Sequence, residues 1–169
     1  MVDQDVVAAV ERDEPGVRDA GGHERFGYRV SFANKPVAGD WNGSGLHTNF
    51  STAATRDPKT GREAIQAAIE ALSARHDHHI PHYGHGLAAR LTGLHETCSI
   101  LMFRSGIAHR GASIRIPQPV AQQGHGYFED RRPGANADPY RVVACLVETV
   151  CVPQDLRPDL PRAVVMPAA

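Results

Sequence analysis

Apolar residues at Ile65, Ala68, Ile69 and Leu72, continued by His76, follow the i, i+3, i+4, i+7 stripe of an amphipathic helix, which predicts one over residues 62–80. The opposite face is polar, as a surface helix requires. A second apolar stripe, Val142, Val143, Leu146, Val147 and Val150, follows Asp138-Pro139, an N-cap acid with proline at the first helical position. Shorter helical signals lie at residues 87–91 and at residues 6–10, the latter broken into a linker by Glu14-Pro15-Gly16 and Gly21-Gly22.

Period-two alternation marks the strands. Tyr28, Val30 and Phe32 alternate with Arg29, Ser31 and Ala33. In a strand after the glycine-rich turn, His47, Asn49 and Ser51 share one face and Thr48 and Phe50 the other. Ser113 and Arg115 oppose Ile114 and Ile116, and Glu129 and Arg131 share a face two residues apart. Residues 81–111 read mostly as loops, where binding groups concentrate on a scaffold.

A chain of 169 residues with 41% hydrophobic content is long enough for one domain with a true core. Eighteen basic against nineteen acidic residues give a net charge of -1, so there is no general basic field to attract nucleic acid or an anionic membrane surface, and neither partner is expected. Lys35 and Lys59 are the only lysines, and arginine supplies the other cations, suited to planar, bidentate contact with carboxylate or phosphate. Cys98, Cys145 and Cys151 form no C-x-x-C pair, which suggests neither a disulfide framework nor a thiolate zinc site. No apolar run approaches the roughly 18 residues of a spanning helix, and the first residues lack the pattern of a signal peptide, so the expected location is the cytoplasm.

Four stretches carry candidate chemistry. Gly39-Asp40-Trp41-Asn42-Gly43-Ser44-Gly45-Leu46-His47-Thr48-Asn49 is a glycine loop opening a strand, in which backbone can approach a small ligand closely. Arg90-Leu91-Thr92-Gly93-Leu94-His95-Glu96 ends in an acidic loop. Arg110-Gly111-Ala112-Ser113-Ile114-Arg115-Ile116-Pro117 sets arginines on a strand. Gly126-Tyr127-Phe128-Glu129-Asp130-Arg131-Arg132-Pro133-Gly134-Ala135-Asn136-Ala137-Asp138-Pro139-Tyr140 pairs an acid with an arginine. By residue type alone each has a plain alternative: His47 as a hydrogen-bonded core histidine, the arginines as surface ion pairs, Glu129 as an exposed strand acid, Glu96 as an ordinary loop glutamate. His76, His78, His79, His82 and His85 have spacings that can bind transition metals, but a histidine-rich helix end and loop is more often solvated polar surface, and they stay outside the site.

Taken together and in this order, the four stretches resemble the C-terminal part of the catalytic domain of glutamine synthetases of the eukaryotic-like type II, over about residues 25–152. The resemblance implies an α+β fold with antiparallel strands lining a funnel-like site and helices behind. It implies ATP-dependent ligation of glutamate and ammonia through γ-glutamyl phosphate, with Mg²⁺ or Mn²⁺. It implies Glu96 and Arg110 as catalytic residues, and Asn42, Gly43, Arg90 and Arg131 as glutamate-binding. Asn49, Ser51, Arg110 and Arg115 would contact nucleotide, and His47 and Glu129 would ligate metal.

Such enzymes assemble as stacked rings of identical subunits. They also carry an N-terminal β-grasp domain and further strands of metal-binding glutamates, neither of which is recognised in this sequence. The expectation is therefore a catalytic half-site, inactive by itself, that needs a missing N-terminal half or full-length subunits. Residues 1–24 form an acidic segment unlike that family, and residues 153–169 form a proline-rich tail. The alternative is a non-catalytic remnant that binds ligand or a synthetase.

Overall fold

The computed structural model describes residues 9–12 and 28–157. The fold is α+β. Its centre is a four-stranded sheet of β3 (Thr48–Phe50), β4 (Ser105–Ile107), β5 (Ile114–Ile116) and β6 (Phe128–Asp130), in the order β3-β6-β5-β4. The pairings of β6 with β3 and with β5 are antiparallel, as the family resemblance implies, whereas β4 runs parallel to β5 and makes the sheet mixed. Strand β4 falls within the stretch expected to be loop; at three residues it is too short to show a period.

A separate antiparallel ribbon joins β1 (Ala9–Arg12) to β2 (Tyr28–Ser31). The second of these matches the alternation of Tyr28 and Val30. The first corrects the helix expected over residues 6–10: Ala9 and Val10 lie in a strand, and residues 6–8 are outside the described residues. The rest of residues 1–24, and the tail beyond Arg157, are likewise outside the described residues.

The long helix α2 (Gly61–Ala74) buries Ile65, Ala68, Ile69 and Leu72, the stripe that predicts it. Each large apolar side chain so covered contributes roughly 1.5–3 kcal/mol relative to exposure. The helix stops short of Ile80 because Arg75 leaves helical geometry (φ -112, ψ 20), and a one-turn helix α3 (His76–His79) follows. Short helices α1 (Ala53–Arg56), α4 (Leu87–Arg90) and α5 (Gln118–Gln123) connect the strands.

Helix α6 (Pro139–Cys151) starts where Asp138-Pro139 places it, with the Asp138 carboxylate accepting from the Tyr140 N–H at 2.9 Å. Only part of its expected stripe is inward. Val142 and Leu146 are buried together with Cys145, Glu148 and Thr149, whereas Val143 and Val147 face outward. Buried polar side chains thus take positions on this face that an apolar count misses. Helices α2 and α6 pack together, and Leu72, Tyr83, Ile114, Phe128 and Leu146 form the centre of the core. Among the described residues no helix is long and apolar enough to cross a membrane.

Candidate functional site

The register of the sheet builds the site. Asn49, Glu129 and Arg115 lie directly opposite one another on β3, β6 and β5, so they form a row on one face. One residue along, Thr48, Asp130 and Ile114 form the row on the other face, against the core. Phe128 shares that inner face and packs tilted against Phe50, with ring centroids 5.7 Å apart.

On the outer row Glu129 is 5% exposed and gathers three cationic or polar partners. Its Oε1 accepts from Arg131 Nη1 at 3.1 Å and lies 3.1 Å from His47 Nδ1. Its Oε2 lies 2.5 Å from Arg115 Nε, but the contact is a charge contact without hydrogen-bond alignment. Burial pulls the Glu129 pKa up, yet the His47 hydrogen bond and the charges of Arg131 and Arg115 prevail and hold it below the ordinary glutamate value.

Arg90 sits beneath this group and is 5% exposed. It donates to the carbonyls of Arg132 at 3.2 Å and Arg131 at 3.1 Å, and its Nη2 lies 3.1 Å from His47 Nε2. Burial, reinforced by the neighbouring Arg131 charge, lowers its pKa to about 10. The glycine loop lies flat on this side chain. A Cβ on Gly43 would come within 2.5 Å of the Asn34 carbonyl and 2.7 Å of Arg90 Cγ, and one on Gly45 would overlap the guanidinium. Glycine is required at both positions for close approach rather than for unusual φ.

Over the site stands the loop of residues 94–97. The Thr97 N–H donates to the Leu94 carbonyl at 3.1 Å, and the two central residues, His95 and Glu96, have φ of 50° and 59°, as a type I′ turn demands. Non-glycine residues in that region carry strain, which neighbouring contacts must hold. Here Arg110 Nη1 donates to Glu96 Oε1 at 3.0 Å, His95 Nε2 contacts Asp40 Oδ1 at 2.7 Å across to the glycine loop, and Arg131 Nη2 donates to the Glu96 carbonyl at 3.4 Å. The Arg110 hydrogen bond, more than any other influence, lowers the pKa of Glu96. A cleft of about 280 Å³ lies against this turn, lined in part by Glu96, Met102, Arg104 and His109.

The structure thus brings His47, Arg90, Arg115, Glu129 and Arg131 into one contact group. Arg110 and Glu96 join it through backbone carbonyls, and Asn49 stands in its row. Gly43 belongs through its packing on Arg90. Two expected residues stand apart from these contacts: Asn42 is exposed, and the Ser51 hydroxyl accepts from Arg56 Nη1 at 2.8 Å.

As a divalent-ion site the group is incomplete. When His47 donates from Nδ1 to Glu129, its Nε2 accepts from Arg90, and both ring nitrogens are used. Three guanidinium groups surround the same atoms, and among the described residues no three His, Cys, Asp or Glu side chains are arranged to hold a metal ion. These residues do not by themselves fit Mg²⁺ or Mn²⁺, which take about six oxygen-rich ligands.

Glutamine synthetase of Yarrowia lipolytica is 57% identical over 128 residues, 76% of this chain and 35% of that protein. Those of Candida glabrata and Saccharomyces cerevisiae are 58% and 56% identical over the same length, 76% of this chain and 34% of each. The chain is a relative of the glutamine synthetases. It spans about a third of the length of the curated relatives it matches. No family model matches it. A solved structure described as GmaS without ligand superimposes with a TM-score of 0.56 over 85% of this chain and 34% of that one, at 22% identity, and supports the fold alone.

In this glutamine synthetase relative a second charged group, whose residues are not among those assigned to the site from the sequence, lies directly behind the first. Arg132, 1% exposed, donates to both oxygens of Asp130, at 2.9 Å from Nε and 2.7 Å from Nη2. Tyr83 donates to Asp130 Oδ2 at 2.8 Å, His79 bridges Tyr83 Oη and Thr149 Oγ1 at 2.8 and 2.7 Å, and His76 Nδ1 lies 3.2 Å from Arg132 Nη1. Arg132 also stacks over the rings of Tyr83 and Phe103. Burial drives the Asp130 pKa up, but Arg132 outweighs it and holds the group ionised. The signal for this group is Glu129-Asp130-Arg131-Arg132 itself, where period two makes two acid–arginine pairs on opposite faces.

Proposed function

We propose that this chain carries one half of a glutamate–ammonia ligase site: the part that gathers the carboxylate and phosphate oxygens of glutamate, ATP and γ-glutamyl phosphate. The observation that carries the reading is the convergence of Arg115 and Arg131 on buried Glu129, beside a strained turn bearing Glu96 and Arg110. Phosphoryl transfer to a carboxylate crowds negative oxygens, and arginines on a rigid sheet neutralise them without reorganising. In this reading Arg110, Arg115 and Arg131 face the anions, with Asn49 and Ser51 on the nucleotide side, and Asn42 and Gly43 border the glutamate. Arg90, whose Nη1 and Nη2 donate to carbonyls and whose Nη2 also contacts His47, positions the loop and the histidine.

Glu96, on the turn over the site, would hold ammonium and take its proton. His47 and Glu129 would be two donors of a Mg²⁺ or Mn²⁺ set, with one ring nitrogen of His47 giving up its present contact and further carboxylates completing the set. When bound, such ions supply charge neutralisation to the transferring phosphoryl group. The chain accordingly works with other synthetase polypeptide, in ring-forming assemblies in the cytoplasm, and makes no glutamine alone.

The test is γ-glutamyl hydroxamate formation by the purified chain with ATP, glutamate, hydroxylamine and Mg²⁺ or Mn²⁺. No turnover is expected from the chain alone. Robust turnover abolished by both His47→Ala and Glu129→Ala would overturn the half-site reading. The same arginine-filled ion site favours, as a second reading, a chain that keeps ligand binding without catalysis; it predicts glutamate or phosphate binding with no turnover even when full-length synthetase subunits are added.

A further inference from the structure

Ile107 marks a place where the sheet extends beyond the helices that cover it. In the parallel pairing of β4 with β5 it stands beside Ile116, two residues from the fully buried Ile114 and so on the same inner face. Yet Ile107 is 54% exposed, and β4 is the last strand of the sheet, with one edge unpaired among the described residues. The space in front of it is a groove of about 540 Å³ between α2 and α5. Ile65, Ile107, Ile116 and Val120 give it an apolar lining, and Glu63, Ala67 and Glu70 stand on its α2 wall. Arg62 Nη2 donates to the Ala121 carbonyl at 3.4 Å and ties the two helices together. An apolar sheet face is stable when another element is packed on it, and an apolar groove with a charged rim marks an interaction surface.

We propose that this groove seats one amphipathic helix from the part of a glutamine synthetase polypeptide that these 169 residues do not match; the proposal rests on the half-site reading above and names the surface through which the halves join. The match takes in 34–35% of each relative, so about two-thirds of their length lies outside it and has to pack against what is matched. A strand added at the β4 edge would find only three residues to pair with and would place every second side chain on the inner face. A helix instead lays a whole stripe, at i, i+3, i+4 and i+7, into such a groove. Charge fixes its character: Glu63 and Glu70 are exposed about two turns apart on the α2 wall, so the incoming helix carries Lys or Arg beside its apolar stripe. A second copy of this chain could offer only the outward face of α6, with Tyr140, Val143, Val147 and Arg141. That contact joins two different surfaces and does not close, so it would build filaments rather than a defined pair.

The experiment co-expresses the full chain with a tagged segment of the Yarrowia lipolytica synthetase, the part that precedes the matched residues. Expected is a one-to-one complex by analytical ultracentrifugation, recovered at least about tenfold less with Ile107→Glu and with Ala67→Arg, and unchanged with Val143→Glu on the outward face of α6. All three positions are exposed, and circular dichroism of each variant checks that its fold is retained. No complex, a complex indifferent to both groove variants, or equal loss with Val143→Glu would overturn the proposal. Self-association of the chain alone, abolished by both Ile107→Glu and Val143→Glu, would give the groove to a second copy and overturn it as well. Hydroxamate formation by the complex judges the half-site reading separately: a groove-dependent complex without turnover refutes that reading and leaves the groove, and turnover indifferent to the groove variants does the reverse.

Discussion

Glu129 and Asp130 are neighbours in β6, yet they point to opposite faces of the sheet, and each is neutralised by the arginine two positions further along. The outer pair, Glu129–Arg131, touches His47 and Arg115 at the candidate site; the inner pair, Asp130–Arg132, is sealed in the core. One strand therefore ties the chemistry to the packing. A shift of a single residue in register would exchange the two pairs and bury the site.

Arg132→Met is expected to destabilise the chain by about 3–5 kcal/mol, because it leaves the Asp130 carboxylate buried without its cation. Arg131→Met should cost less, since Glu129 keeps His47 and Arg115. Urea unfolding of the two variants checks the order. Equal losses would show that the inner pair has no special part in holding the fold.

Stability should also fall on acidification before carboxylates titrate. Burial first, and Arg132 second, lower the folded-state pKa of His79 from 6.5 to about 3. The unfolded chain therefore takes up a proton near pH 6.5 that the folded chain refuses. The contribution is fully present above pH 6.5 and is lost as pH falls from there toward about 3, at about 1.4 kcal/mol per pH unit. Between pH 6.5 and 5 this amounts to about 2 kcal/mol. Denaturant titrations at several pH values should show the slope, and His79→Gln, which keeps hydrogen-bonding capacity without the titration, should flatten it.

The turn over the site offers a test by titration of one group. In Arg110→Ala the Glu96 pKa should rise back toward the ordinary glutamate value, since the Arg110 hydrogen bond is the main influence that lowers it. Carboxyl NMR shifts measure this directly. The same variant should speed amide exchange over residues 94–97, where His95 and Glu96 keep positive φ with the help of that contact. An unmoved Glu96 titration would mean that the ion pair is not formed in solution.

Much of this architecture can be read from the sequence where a period is long enough. Helix α2 follows from Ile65, Ala68, Ile69 and Leu72, the start of α6 from Asp138-Pro139, and the outer face of β6 from the alternation that sets Glu129 with Arg131, one residue past the strand's end. Three-residue β4 and six-residue α5 do not complete a diagnostic repeat. The strand at Ala9–Arg12 depends on a partner at Tyr28–Ser31, which local propensity around Val6 and Val10 does not contain. Within the site, the gathering of His47, Arg115, Glu129 and Arg131 agrees with the shared faces of their strands, while the use of Arg90 as a clamp depends on carbonyls of residues 131 and 132 that no motif displays.

The anion-cradle reading makes a prediction of unusual sign for Glu129→Gln. In the native chain this carboxylate lies within contact of Arg115 and Arg131 and offsets much of their charge. Glutamine has the same shape and can still accept from Arg131, so the fold should be kept, but the two guanidinium groups lose their counter-ion. Inorganic phosphate should then bind at least about tenfold more tightly, a change of about 1.4 kcal/mol, and the gain should shrink as salt is raised. Arg131→Met should have the opposite effect. Calorimetric phosphate titration of the three proteins at two ionic strengths decides between the two roles: if Glu129→Gln binds phosphate no better than the native chain, the arginines on this face serve only as counter-ions for Glu129, and the anion-gathering role must be given up.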